Sequence, residues 1–146
     1  MWNQVGDAER VIDRIDEAVG LRSGTIRSVV EVGTGTGMYL EFLLRKITPT
    51  SIESYESEPN WARYLESMYP VKSRETDGET LRATKTNSID LLLAHGVFVY
   101  LPTITTLSYF IEMLRVLKDE SYIVFDIMDE ECFSENELKA LVTISE

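Results

Sequence analysis

The stretch VVEVGTGTGMYLEFLL, residues 29–44, decides how the chain is read. Val29, Val30 and Val32 are β-branched, with stiff side chains that suit a strand covered on both faces. Gly33, Gly35 and Gly37 follow at once, so the backbone can bend sharply and come close to a ligand. Leu40, Leu43 and Leu44 recur at helical spacing, and Arg45 and Lys46 stand where a helix C-terminus favours positive charge. The segment predicts a buried strand, a tight glycine turn and the start of a helix, which together form a small-molecule cradle.

Outward from this stretch, strands and helices alternate. Between Asp7 and Leu21 the apolar positions Val11, Ile12, Ile15, Ala18 and Val19 share one helical face, with Asp7 as the expected N-cap. The first strand is expected to begin near Ile26. Pro49 marks a turn before a strand over SIESYE, residues 51–56. Pro59 suits a first helical turn, and Trp61, Tyr64, Leu65 and Met68 then form an apolar stripe. A short strand over Val71 to Arg74 leads into a polar loop through Asp77 and Gly78. Ile89 to Ala94 is an apolar run broken only by Asp90, as in a buried parallel strand. After Pro102, Leu107, Phe110, Ile111, Leu114 and Leu117 share a helical face, with Arg115 and Lys118 expected in the last turn. Tyr122 to Ile127 is the next strand, and Ser134 with Glu137 forms a capping-box signature for a final helix near residue 135. This alternation predicts an α/β fold with right-handed crossovers and a mainly parallel sheet of about five strands.

Composition narrows the functional classes. A chain of 146 residues has the length of a single domain, 1–146, and its 44% hydrophobic and 27% charged residues fit an ordinary globular protein. No apolar run reaches the roughly 20 residues of a membrane helix, and the N-terminus MWNQVGDAER lacks the basic and apolar regions of a secretion signal. A cytoplasmic setting without membrane association is therefore expected. The formal net charge of −11 repels nucleic-acid phosphates, so a small-molecule substrate is favoured over nucleic acid. Cys132 is the only cysteine, which excludes an internal disulfide and a cysteine-based metal cluster within one chain.

The glycines are spaced GxGxG and Met38 comes next, where a dinucleotide fingerprint would want its third glycine. With Glu31 as the leading acid, the stretch instead resembles motif I, E/DxGxGxG, of the class I S-adenosylmethionine (SAM)-dependent methyltransferases. SIDLLLAHGVFVYLP, residues 88–102, resembles that family's segment around strand four, in which Asp90 matches a structural acid at the start of the strand. The resemblance covers about residues 27–127. It implies a three-layer Rossmann-like fold with strand order 3-2-1-4-5 and SAM as cofactor. Gly33, Gly35 and Gly37 would then hold the methionine end, with Glu31 nearby.

The strand ends supply the other candidates, because ligands of open parallel sheets bind there. Glu56, nineteen residues beyond Gly37, can accept two hydrogen bonds from vicinal ribose hydroxyls, a device that NAD enzymes share. Asp77 matches the acid that the family commonly sets against the adenine amino group, and it also suits a turn before Gly78. His95, the only histidine, falls just after the fourth strand. It is read either as a general base for the incoming nucleophile or as a pocket-wall residue. Phe98 and Tyr100 are expected to pack against the core or to shape the substrate mouth, with core packing favoured for each. Asp129, Glu130 and Glu131 could meet a substrate amine or face water, and no convincing metal-ligand set accompanies them.

Two departures from the family stand out. Asp119-Glu120-Ser121 replaces the usual glycine-containing turn before strand five, and the family's last two strands do not follow the final helix. A C-terminally truncated domain, or homo-oligomerisation over an exposed sheet edge, is the expectation. The leading function is SAM-dependent methyl transfer to a small molecule. An NAD(P)-dependent oxidoreductase, disfavoured by Met38, and a non-catalytic binding module on the same fold are the alternatives.

Overall fold

A computed structural model describes residues 4–127. At its centre lies β1 (Ser28–Val32), all five residues of which are buried. It pairs in parallel with β2 (Ser51–Tyr55) on one side and β4 (Ile89–Ala94) on the other, so that Val30 lies opposite both Glu53 and Leu92. The two-residue β3 (Lys72–Ser73) joins β2, and β5 (Leu117–Phe125) joins β4, again in parallel. The order is β3-β2-β1-β4-β5, as the resemblance implies.

Alternate residues of each strand face opposite sides, which divides the core in two. On one face Val29, Ile52 and Leu91 pack against Ile12 of α1 (Gln4–Val19) and Leu40 and Leu43 of α2 (Met38–Leu44). On the other, Val30, Leu92 and Ala94 pack against Tyr109, Met113 and Val116 of α4 (Thr103–Val116). The remaining helix, α3 (Pro59–Met68), starts with Pro59 in its first turn behind an N-cap Glu58, whose carboxylate accepts the Asn60 N–H.

Asp90 fastens the lower end of the sheet. Its Oδ2 accepts the backbone N–H groups of Arg27 at 2.9 Å and Ser28 at 2.8 Å, together with the Ser28 hydroxyl at 2.8 Å. Its Oδ1 accepts Lys118 Nζ at 2.8 Å. One carboxylate thus joins the start of β1, β4 and β5. Desolvation pushes its pKa up, but the Lys118 ammonium and the donors of Arg27 and Ser28 outweigh that and hold it at about 2.

Several sequence expectations are corrected. The buried face of α4 is Tyr109, Met113 and Val116, whereas Leu107, Ile111 and Leu114 face outward, Leu114 with 72% of its surface exposed. The apolar pattern of this helix has two competing stripes, and the one with the aromatic and the methionine docks on the sheet. In α3 only Leu65 is buried, while Trp61, Tyr64 and Met68 are exposed. Tyr100 is 83% exposed, although Phe98 is in the core as expected.

Helix α1 begins at Gln4, so Asp7 lies in its first turn, paired with Arg10, and is not the N-cap. Lys118 lies in β5 beyond the end of α4, and that strand starts five residues earlier than the sequence suggests. The turn lacking glycine forms with Glu120 at φ 58°, inside a register irregularity between β4 and β5. Cys132, Asp129, Glu130, Glu131 and the capping box of Ser134 and Glu137 lie outside the described residues. Among the described residues no helix is long and apolar enough to cross a membrane.

The Asp90 clamp has a measurable pH signature. Because its folded pKa is lowered from 3.8 to about 2, the ionised clamp stabilises the fold fully above pH 3.8, and this contribution is lost as the pH falls through 2. Asp90→Ala is expected to lower stability in urea unfolding at neutral pH by about 2 kcal/mol. The difference from the parent should shrink as the pH falls from 4 towards 2.

Candidate functional site

The chain leaves β1 through a turn in which Gly33, Gly35 and Gly37 all have positive φ, at 68°, 55° and 79°. The Gly33 N–H donates to the Tyr55 carbonyl at 2.8 Å, carrying the β1–β2 pairing into the turn, and the Gly37 N–H donates to the Thr34 carbonyl at 2.9 Å. Gly37 is fixed by packing as well as by its dihedral. A Cβ there would come within 2.6 Å of the Tyr69 ring and 2.9 Å of Leu65 Cδ2. At Gly35 a Cβ would meet nothing within 4 Å, so the turn is closed behind and open at its crest. Thr34 is buried between them, its hydroxyl 2.8 Å from that of Ser54.

Two carboxylates flank the turn and differ in their hydrogen-bond partners. Glu56, one residue past β2, accepts the Gly35 N–H on Oε2 at 2.7 Å and the Glu58 N–H on Oε1 at 2.9 Å. The acid that the sequence singled out for a ribose therefore also braces the crest of the glycine turn. Glu31, in β1, is 3% exposed, and its Oε2 is buried with no hydrogen-bond partner among the described residues. Burial pushes its pKa up to about 8 against the pull of the Thr34 hydroxyl, and the charge of Glu56 adds to the rise. A neutral carboxyl with an unsatisfied oxygen next to an open turn is a costly arrangement for folding alone.

Asp77 is engaged by its own loop. Its Oδ1 accepts the N–H groups of Glu79 at 3.0 Å and Thr80 at 2.8 Å, and its Oδ2 accepts the Thr80 hydroxyl at 2.7 Å. The Thr80 hydroxyl and these N–H groups, with Arg82 nearby, outweigh desolvation and hold its pKa at about 2. This is the turn-forming arrangement that the sequence left open beside the adenine role.

His95 lies just beyond β4, and its ring rests on that of Tyr39 in the first turn of α2, centroids 4.2 Å apart. Nε2 is 3.4 Å from the Tyr39 hydroxyl and 3.9 Å from Asp126 Oδ2. The other oxygen of Asp126 accepts the Gly96 N–H at 2.7 Å. His95 and Asp126 border a cavity of about 290 Å³ between α1 and the upper ends of β4 and β5, walled by Val11, Ile15, Val19, Leu93, Val124 and Phe125. Among the described residues, Arg14 supplies its one basic side chain besides the imidazole.

The structure thus brings together Glu31, the three glycines and Glu56 at the end of β1, with His95 at the end of the neighbouring strand β4. Tyr39 and Asp126 escaped the sequence reading. Asp126 stands at the fifth strand end, with the denser acid run of Asp129, Glu130 and Glu131 close behind it in sequence. Tyr39 offered no signal beyond a helical position.

Residues 30–125 match the family model described as a methyltransferase domain. No curated protein sequence matches the chain. Among solved structures, a candidate S-adenosyl-L-methionine-dependent methyltransferase from Methanococcus maripaludis superposes with TM-score 0.65 at 16% identity, over 94% of this chain and 63% of its own. A candidate sarcosine dimethylglycine methyltransferase from Galdieria sulphuraria gives TM-score 0.72 at 19% identity, over 94% and 53%. The Haemonchus contortus phosphoethanolamine N-methyltransferase 1, in complex with phosphoethanolamine and S-adenosylhomocysteine, gives 0.63 at 22%, over 82% and 26%. The chain therefore spans less than two thirds of each of these proteins, and the likeness is one of fold. Since the family match takes in well over half of the sequence, from the middle of β1 to the end of β5, the chain belongs to the methyltransferase domain family, whose class I fold it has and whose cofactor is SAM.

Proposed function

We propose that this chain binds SAM over the glycine turn and directs its methyl group to a small-molecule acceptor held between α1 and the ends of β4 and β5. The observation that carries the reading is Glu31, a buried carboxyl with an unsatisfied oxygen beside a turn whose crest is open at Gly35. The α-ammonium of the cofactor is the partner that such a group lacks. The residues present fit the cofactor in other respects. The backbone of Gly33 to Gly37 leaves room for the methionine end, and Glu56, with each oxygen accepting one N–H, has lone pairs left for ribose hydroxyls. Asp77 is assigned to the adenine end by its position after β3, acting through the shape of the loop it caps.

When bound, SAM supplies an electrophilic methyl group on a sulfonium. The chain's own task is then to align a nucleophile and keep water away. The apolar walls of the cavity serve the second need and select an acceptor with an apolar body. His95, in the lining of that cavity, is the group proposed to take the proton of the nucleophile. The oxidoreductase alternative is not favoured, because α2 opens with Met38 where close packing over a pyrophosphate would want glycine.

Calorimetry with S-adenosylhomocysteine should give binding in the micromolar range, weakened at least about tenfold by Glu56→Ala; absence of binding to the intact protein sinks the proposal. Glu31 adds a pH dependence. If the ammonium takes its carboxylate in ionised form, binding expels a proton, and affinity should rise by about tenfold per pH unit up to pH 8 and then level off. Calorimetry in buffers of different ionisation enthalpy should register that proton, and Glu31→Gln should abolish both effects.

The same group affects stability. The folded chain keeps a proton that the unfolded chain gives up above pH 4.5, so the parent should lose stability relative to Glu31→Gln as the pH climbs from 4.5 to 8. The gap is expected to reach about 3 kcal/mol by pH 7.

A further inference from the structure

A second cavity, of about 470 Å³, opens near the lower edge of the sheet and is lined by Ser51, Glu53, Lys72, Arg74, Lys85 and Ser88. Glu53 stands opposite Val30, whose side chain belongs to the core under α4, and Lys72 stands opposite Glu53. Strand alternation brings Ser51 and Arg74 to the same face. Lys85 and Ser88 come from the loop that leads into β4. Ser51 opens β2, whereas Glu56 follows its far end, about 16 Å away along an extended strand. The cavity is thus distinct from the site over the glycine turn.

Its walls are held in place by hydrogen bonds. Thr84, next to Lys85, is 2% exposed. Its hydroxyl donates to Glu53 Oε2 and lies 2.8 Å from that of Tyr55, while its carbonyl accepts Arg115 Nη1 at 3.1 Å. Farther along the loop, the N–H groups of Asn87 and Ser88 donate to the carbonyls of Arg115 at 3.0 Å and Val116 at 2.8 Å. On the other side, the Arg74 N–H donates to the Ser54 carbonyl at 2.8 Å. The backbone that carries Lys85 and Arg74 is therefore fixed, and a ligand there need not order it.

The lining carries a surplus of positive charge. Glu53 is already answered, by the Arg74 guanidinium on Oε1 and the Thr84 hydroxyl on Oε2. Among the described residues Arg74 Nε is buried without a partner, and Lys72 and Lys85 take part in no ion pair. Nearby acids are engaged elsewhere, Glu75 and Asp77 with Arg82 and Glu112 with Arg115. Three cations against one carboxylate leave two positive charges over. The chain as a whole carries −11, but charges beyond a Debye length of about 8 Å are screened at physiological salt, so the lining sets the local preference. A carboxylate ligand would offset half of that surplus. A phosphate group, with two charges and three terminal oxygens, matches both the charge and the number of N–H donors.

We infer that this cavity is a second ligand site, which takes a phosphate monoester with its phosphate between Lys72, Arg74 and Lys85. The volume is that of a small-molecule site and leaves room for an organic body beside the phosphate, against Ala83 and Ile89. Lys72 and Lys85 bind the phosphate directly, while Glu53 and Thr84 hold Arg74 and the wall in position. The inference does not depend on the chain binding SAM.

The test is a ¹H–¹⁵N NMR titration of the intact chain with phenyl phosphate, inorganic phosphate and benzoate, in about 0.15 M salt and at about pH 7.5, where a phosphate monoester is a dianion. Phenyl phosphate should give saturable shifts centred on residues 51–53, 72–74 and 83–89, with a Kd on the order of 1 mM or below. Inorganic phosphate should move the same signals, and benzoate should bind at least about fivefold more weakly than phenyl phosphate. Lys72→Gln and Lys85→Gln, both at exposed positions, should each weaken phenyl phosphate at least about fivefold. Arg63→Gln removes the same charge from the exposed side of α3 and should leave affinity within about twofold. An equal loss in Arg63→Gln, shifts centred on residues 33–37, benzoate binding as tightly, or no saturation by roughly 20 mM each overturns the inference. The two lysine variants should keep S-adenosylhomocysteine affinity within about twofold of the parent, and a larger loss there contradicts the separation of the two sites.

Discussion

The functional edge of this protein depends on the way the backbone leaves the central strand. β1 is buried along its whole length between two helical layers, so the chain cannot exit sideways and must turn within a few residues. It does so through left-handed dihedrals at three glycines, with Tyr69 and Leu65 packed so close behind Gly37 that any side chain there would collide. The same turn sets the start of α2, and through α2 the place of Tyr39, and through Tyr39 the ring of His95. The glycine turn and the His95 ring are therefore linked by one short helix.

Electrostatics give the site its asymmetry. Glu31 and Glu56 are carboxylates near the same turn, and Glu31 is driven towards its neutral form, because its burial is complete and its Oε2 has no donor among the described residues. Glu56 has two backbone N–H groups to answer its oxygens. At the opposite end of the sheet, Asp90 is also shielded but surrounded by donors and a lysine, so its pKa moves the other way. Between Glu31 and Asp90, the supply of hydrogen-bond donors decides the sign more than depth does.

Much of this was legible from the amino-acid order. β-branched runs and glycine spacing gave β1, the turn and α2, and a continuous apolar run gave β4 to the residue. Local pattern failed where two helical faces were both apolar, as in α4: periodicity marks a stripe but does not say which one meets the sheet. It failed again for Lys118, which reads as the end of a helix but is drawn into β5, where its ammonium meets Asp90. Tyr39 was illegible for a related reason, since it meets His95 across elements that only the fold brings together.

The brace that Glu56 places on the Gly35 N–H bears on how a ligand would be received. A glycine-rich loop without such a contact samples many shapes and has to be frozen by whatever binds it, at an entropic cost of roughly 1 kcal/mol or more per residue. Here the turn is held from within by a group that also has acceptor capacity to spare. Recognition then resembles the filling of a standing mould, and the binding free energy that would otherwise go into ordering the loop is left for discrimination between ligands.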